Sequence, residues 1–291
     1  MDGYINLLKP PGMTSSDAVV RVRKMLPRGT RIGHGGTLDP DAAGVLPLLI
    51  GRGTRLFDYL IDKQKVYLAE LRLGVTTDTQ DASGAVVSVR PVIAGEAQLR
   101  AAIWRFVGDI DQSPPAYSAI QQNGRRMYEL ARAGLAQPLP PRRVRVDAIE
   151  YVDSPCPGAH RLRVYCGKGV YIRTLASDLG DAVGDGAHLA FLLRQSAGWF
   201  DISDARTLEE LSAMGDLSGA LVPLDAPLCA LPAIELGGEH LRAAQNGGAL
   251  PFAGAPAGRP LRVYVGGRFA GIGEASGDIV HFRAMLLEGA R

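Results

Sequence analysis

The sequence predicts an α/β protein with a small all-β unit toward its C-terminal end. Three observations carry this. Segments such as Lys65–Leu73 and Arg161–Cys166 alternate apolar and polar residues with the period of a half-buried strand. Between them lie segments whose apolar residues recur at helical spacing, as at Leu99, Ile103 and Phe106. The last roughly sixty residues hold only strand candidates, two of them joined by Gly266-Gly267, a hairpin signal. At 291 residues the chain can bury a sizeable core, as one large domain or two.

In chain order, Tyr4–Leu8 reads as a strand that stops at the turn Lys9-Pro10-Pro11-Gly12. Thr14, Ser15 and Ser16 offer N-caps to a helix from about Asp17 to Met25, whose Val19 and Val22 share a face with Leu26. The stretch Gly33-His34-Gly35-Gly36-Thr37-Leu38-Asp39-Pro40 is too rich in glycine for a helix and too irregular for a strand, so a loop is expected. Val45–Ile50 is an apolar run that anchors this loop in the core, and a helix carrying Leu56, Phe57 and Leu60 is expected from Thr54. A strand over 65–73, a polar turn over 76–84, a returning strand over 85–90 and a helix over 96–107 follow. Arg142–Val146 and Arg161–Cys166 alternate with arginine on one face, then lead into a Gly-rich turn at Gly167–Gly169 and a helix beyond it. A helix is expected over Thr207–Met214, and the prolines of Pro223–Pro232 mark a linker that packs down. Leu261–Val265 and Arg268–Ile272 form the hairpin, Asp278–Leu286 adds a third strand, and a small β-barrel is the expected product.

With 46% apolar and 21% charged residues the composition is that of a soluble globular protein. No apolar run approaches the ~20 residues that span a bilayer. Met1-Asp2-Gly3-Tyr4 shows no basic segment followed by an apolar one, so no secretory signal is expected. The three cysteines, Cys156, Cys166 and Cys229, form neither a C-x-x-C pair nor an even set, and a cytoplasmic location is expected. A net charge of +2 does not announce a nucleic-acid partner, but its distribution says more. Of 32 cations 27 are arginine, and residues 120–175 hold ten cations against four anions. Arginine is the side chain suited to phosphate forks and to stacking on bases.

Several chemistries are unsupported. The five histidines are scattered and no Cys/His cluster exists, so no metal is expected. There is no G-x-x-x-x-G-K-[ST] and no G-x-S-x-G, and Gly271, Gly273 and Gly277 miss the dinucleotide spacing by one residue. What remains is a carboxylate, Asp39, on a Gly-rich loop before a proline that fixes the next φ, with aromatic and arginine partners and no cofactor.

The order of Lys9-Pro10-Pro11-Gly12-Met13-Thr14-Ser15, the Gly33–Pro40 stretch and Gly44-Val45-Leu46-Pro47 resembles the bacterial tRNA pseudouridine synthase B (TruB) family. Leu73-Gly74 with Thr77-Asp78-Thr79, Gln112-Ser113-Pro114-Pro115-Ala116-Tyr117-Ser118-Ala119 and Gly167-Lys168-Gly169-Val170-Tyr171-Ile172-Arg173 extend the likeness over nearly the whole chain. It departs at Gln121, where lysine is usual, and at Leu193, where the first of two arginines is usual.

The resemblance implies an α/β (α+β) fold with a central mixed, mostly antiparallel sheet flanked by helices. It implies a catalytic domain over 1–228 with an RNA-gripping thumb at about 121–145, and a small C-terminal PUA-like β-barrel over 229–291. It further implies isomerisation of uridine 55 in the tRNA T loop, with the T-arm stem-loop as partner, no metal or cofactor, and a monomer. Asp39 would be the catalytic residue, attacking sugar or base or assisting abstraction of the 2′ proton. Arg173 would be its cation, since a neighbouring positive charge favours an ionised carboxylate. Tyr67 would be the stacking platform, while Tyr171 and Leu192 would wall the uracil pocket. His34 would fill the gap left by the extruded base or make a structural hydrogen bond; Lys9 would brace the loop or touch RNA. Extruding a base costs a few kcal/mol, and an aromatic platform returns ~1–3 kcal/mol. Two rival readings are a non-catalytic tRNA-binding or folding chaperone and a glycoside hydrolase. The second normally needs two carboxylates, and near the motif only Asp41 offers another.

Overall fold

The computed structural model describes the chain apart from residues 62, 119, 123–124, 133–134, 136–138, 257 and 289–291. Nine strands form one sheet: β1 (Gly3–Lys9), β2 (Ile32–His34), β3 (Ala43–Ile50), β4 (Lys65–Leu73), β5 (Gly108–Gln112), β6 (Arg142–Cys156), β7 (Ala159–Cys166), β8 (Ala187–Ala197) and β9 (Phe200–Asp201). Their order is β1-β3-β8-β4-β7-β6-β5, with β2 on β3 and β9 on β8. Every pairing is antiparallel except β3 with β8, so the sheet is mixed and mostly antiparallel.

That parallel joint is short, Leu193 opposite Ala43 and Arg194 opposite Gly44, and it allows no side chain at its centre. Gly44 has φ +118°, and a Cβ there would overlap the Arg194 carbonyl and lie 2.6 Å from its nitrogen. Backbone meets backbone, so nothing can swing aside. Gly44→Ala is therefore expected to lower stability by about 3 kcal/mol or more, from steric overlap added to backbone strain. Urea unfolding measures it, and an unchanged midpoint at unchanged slope would contradict this account of the joint.

Helix α1 (Ser15–Arg23) begins where the sequence offers caps. The Thr14 hydroxyl accepts from the Asp17 N–H (3.0 Å), and Asp17 Oδ2 accepts from the Thr14 N–H (3.0 Å). Helices α2 (Glu96–Ile103), α3 (Ile172–Val183) and α4 (Leu208–Met214) complete the flanking layer, α3 lying across β8 and against α2. The buried stripe of α3 is Ile172, Leu175, Ala176 and Leu179. Beside that stripe, burial and then the neighbouring Asp181 push the Asp178 carboxyl up to about 6. A folded-state value above the ordinary 3.8 means that the ionised form is disfavoured by the fold, a penalty present above pH 6 and relieved as pH falls toward 4. Asp178→Asn should thus stabilise the protein at pH 7.5 by about 1–2 kcal/mol after allowance for solvent screening. Thermal melts of both proteins should converge near pH 4; equal melting points at pH 7.5 would contradict the assignment.

Three expectations need correction. The helix expected from Thr54 is a 3₁₀ segment over Gly51–Leu56, in which the Thr54 hydroxyl donates to the Gly51 carbonyl (2.8 Å), followed by a short α-helix over Phe57–Ile61. Ile32–His34 is a strand, so the motif loop begins only at Gly35, whose N–H is held by the Pro47 carbonyl (2.7 Å). The pattern reading assigned no element to 187–197, yet β8 lies between β3 and β4 in the sheet. Its register shifts at Leu189/Phe191 and Arg194/Ser196 interrupt alternation, which removes the period-2 signal.

The C-terminal strands are β10 (Ala233–Leu236), β11 (Leu250–Pro251), β12 (Pro260–Val265), β13 (Arg268–Ser276) and β14 (Ile279–Met285), in the order β10-β12-β13-β14-β11. The Gly-Gly hairpin forms as expected, with φ +56° and +73° at Gly266 and Gly267. The expected barrel does not: among the described residues no pairing joins β10 to β11, and β11 has two residues with which to close an edge. The unit has its own core, including Leu236, Leu250, Val263, Val265 and Val280. A second cluster, in which Tyr4, Leu49 and Phe200 meet Ile272, Ala284 and Leu286, welds it to the main sheet. Among the described residues no helix is long and apolar enough to cross a membrane.

Candidate active site

The motif loop is held by groups from two separate stretches, Lys9–Ser15 and β8, which supply donors to several of its carbonyls. Lys9 is fully buried, and its Nζ donates to the carbonyls of Pro10 (2.9 Å), Pro40 (3.0 Å) and Ala42 (2.7 Å). Burial pushes this ammonium down to about 8, so at neutral pH it keeps three N–H donors for three acceptors. The Gly12 N–H also reaches the Pro40 carbonyl (3.0 Å). The Ser15 hydroxyl accepts from the Leu38 N–H (2.9 Å) and donates to its carbonyl (3.2 Å), fixing the residue before Asp39. From β8, the buried Arg194 donates to the carbonyls of Val45 (2.7 Å) and Gly36 (3.1 Å). This explains why Lys9-Pro10-Pro11-Gly12-Met13-Thr14-Ser15 accompanies the loop in the sequence: it is the loop's scaffold.

Of the two readings of Lys9, the geometry gives the brace; no donor is left to offer RNA.

Asp39 projects from this loop with its side chain 39% exposed, while the Arg173 side chain facing it is 5% exposed. Arg173 Nη2 donates to Asp39 Oδ1 (3.1 Å), and Nε lies 2.8 Å from Oδ2 without a linear hydrogen bond. The same guanidinium donates to the carbonyls of Tyr117 (2.9 Å) and Thr79 (3.2 Å), and Nη1 lies 3.6 Å from Asp81 Oδ2. One forked cation thus ties Asp39, the 79–81 loop and the 117 segment to the first turn of α3. The N-terminus of α3 is pinned by Gln112, which donates to the Tyr171 carbonyl (3.0 Å) and accepts from its N–H (2.8 Å).

Asp39 and Arg173 open into a cleft of about 1150 Å³ whose walls include His34, Asp81, Tyr117, Phe191 and Leu192. Tyr67, on β4, is 8% exposed, and Tyr171 is half-buried; neither stands on the cleft wall, but both phenols feel the charge of Asp39. Burial raises both above the ordinary phenol range, so both are neutral donors at physiological pH. Burial, then the charge of Arg194, lowers His34, whose Nδ1 is buried without a hydrogen-bond partner among the described residues. Such an orphaned ring nitrogen is costly unless a ligand meets it. Among the described residues no three His, Cys, Asp or Glu side chains gather as metal ligands would.

Sequence reasoning missed four residues here: Asp81, Arg194, Gln112 and Ser15. Ser15 and Gln112 lie in the motif runs, Asp81 and Arg194 outside them, and their partners are 23 to 158 positions away, which no local spacing reveals. Asp81 also amends the count of carboxylates, since it and not only Asp41 stands near Asp39. Its Oδ1 is occupied by the Thr79 hydroxyl (2.6 Å) and the Ser83 N–H (3.0 Å).

The arginine-rich strands are less available than the sequence indicates. Arg143 pairs with Asp111, Arg145 with Asp109 and Asp147, Arg161 with Asp153, and Arg163 with Glu150. By contrast Arg23, Lys24, Arg28 and Arg31, on α1 and just beyond it, make no ion pair with a described carboxylate and line one open groove. The Gln121 side chain and parts of the 121–145 segment lie outside the described residues.

The site thus presents an exposed carboxylate on a braced loop, paired with a buried arginine, over a mixed sheet. The family described as TruB family pseudouridylate synthase, N-terminal domain, matches residues 23–172. The chain is 45% identical over 269 residues to tRNA pseudouridine synthase B of Ralstonia nicotianae, covering 90% of this chain and 85% of that protein. It is 46% identical over 254 residues to the protein of that name from Moorella thermoacetica, covering 85% and 83%. Among solved structures, a Cbf5-Nop10-Gar1 complex aligns at 26% identity and TM-score 0.71, covering 94% of this chain and 78% of that one. The chain belongs to the TruB family of pseudouridylate synthases.

Proposed function

We propose that this enzyme isomerises uridine 55 in the T loop of tRNA, with Asp39 as the catalytic carboxylate. The observation that carries the reading is the ion pair of Asp39 with Arg173 at the floor of an open cleft. The pair orients the half-exposed carboxylate toward a group entering from solvent. Isomerisation breaks the N-glycosidic bond, turns the uracil in place and joins C5 to C1′; it needs neither redox change nor external energy. An ionised carboxylate serves attack on sugar or base and serves proton abstraction alike. Leu192 bounds the uracil, while Tyr67 as stacking platform and Tyr171 as a second wall rest on the family resemblance, neither lining the cleft in this structure. The unpartnered Nδ1 of His34 supports its contact with RNA rather than a structural hydrogen bond. The groove of Arg23, Lys24, Arg28 and Arg31 offers the phosphate backbone cations that form no ion pair among the described residues.

The same reading divides the chain into a catalytic domain over 1–228, with a thumb at about 121–145, and a PUA-like RNA-binding unit over 229–291. The separate core of the C-terminal strands supports that division. The T arm is the expected partner, a monomer the expected state and the cytoplasm the expected compartment. Incubation with tRNA carrying tritium at uracil C5 tests the reading. Tritium release with Asp39 present is the expected result, whereas binding without release would leave a chaperone and free uracil a hydrolase.

A further inference from the structure

We infer that Phe191 is a stacking platform for a nucleobase next to the one that reacts, a role that rests on the reading of the cleft given above. Its strand does not behave as a strand should at this point. In a regular strand successive side chains face opposite ways, so a cleft is lined by every second residue. Here Leu189, Ala190, Phe191 and Leu192 all line the cleft that holds Asp39. The reason is a shift of register: Leu189 stands opposite Leu71 and Phe191 opposite Glu70, leaving Ala190 as the extra residue of a bulge. Bulges next to active sites re-aim side chains, and this one turns Phe191 out while its neighbours stay in. Phe191 is 41% exposed, against 4% for Leu189 and 7% for Leu192.

The backbone that carries the ring is firmly held. The Leu189 N–H donates to the Gln80 carbonyl (2.9 Å), and its own carbonyl accepts from the Ala82 N–H (3.0 Å). Gln80 has φ +64°, the one non-glycine residue with positive φ among those described, so the loop is kept in an uncommon conformation to make this contact. The ring itself enters no ring–ring contact among the described residues. An apolar ring on a rigid strand, open to solvent at the wall of the cleft that holds Asp39 and Arg173, has little reason to be aromatic unless a flat partner arrives. Extruding a base strips its neighbours of a stacking partner, and Phe191, one residue along from Leu192, stands where such a neighbour would need one.

The test compares Phe191→Ala, Phe191→Leu and Phe191→Tyr with the wild-type enzyme on tRNA. The alanine variant should lose about 5- to 150-fold in kcat/KM, chiefly through KM, the range that one base–aromatic stack supplies. Tyrosine should restore most of this; leucine, which keeps the bulk without the flat face, should not. Substrates with 2-aminopurine at each position flanking the target uridine give a direct readout. One of them should be quenched on binding the wild-type and Phe191→Tyr proteins and remain bright with Phe191→Ala and Phe191→Leu. Equal quenching in all four proteins, or leucine as active as tyrosine, overturns the inference. These outcomes are separable from failure of the site itself, in which the wild-type enzyme would release no tritium.

Discussion

Asp39→Asn is expected to reduce pseudouridine formation by more than about 10³-fold while tRNA binding persists. Asparagine keeps the shape of the side chain and an acceptor for Arg173, so the loop should not move. Its carbonyls remain held by Lys9, Ser15 and Arg194 through hydrogen bonds that do not involve the Asp39 carboxylate. Arg173 also retains Asp81 and the carbonyls of Thr79 and Tyr117, so stability should change by less than about 1 kcal/mol. What disappears is the carboxylate assigned to attack or take a proton. Single-turnover tritium release and filter binding separate the two effects. Turnover within tenfold of wild type would remove Asp39 from the chemistry.

Arg173→Lys is expected to be nearly as damaging, although charge is conserved. The guanidinium serves Asp39, the Thr79 and Tyr117 carbonyls and the neighbouring Asp81 at once, from a position 5% exposed. An ammonium is a point charge with three donors and cannot span partners lying in different directions. kcat should fall about 10²- to 10³-fold, as a misaimed catalytic group implies. Removing one member of a buried pair costs about 3–5 kcal/mol, but Asp39 is 39% exposed and can be resolvated, so about 1–3 kcal/mol is expected for Arg173→Met. Because Asp39 and Arg173 act as a unit, the double variant Asp39→Asn/Arg173→Met should be little worse than the poorer single. Additive losses would show that the arginine works independently of the acid.

The local grammar of the chain was largely legible. Thr14 announces α1, the alternation of Lys65–Leu73 announces β4, and Gly266-Gly267 announces its hairpin, because each is set by interactions within a few residues. β8 was not, since its two bulges erase the period that marks a strand. The arginines of β6 and β7 read as an RNA face, but Asp109 and Asp111 on β5 and acids along β6 take them up, and strand pairing is not written in local spacing.

By itself the sequence singled out Asp39 as the candidate acid, placed it on a bend rich in glycine, and set Arg173 and the two tyrosines beside it by likeness to a family. Only the tertiary structure decided how that acid is held. Lys9 proved to be a brace inside the protein, Arg194 a second one reaching from another strand, and Asp81 a second carboxylate on the same arginine. The physical reason is one of range. Caps, turns and periodicity are short-range and leave a local mark, whereas the seating of a catalytic side chain depends on donors and charges that meet only once distant strands have paired.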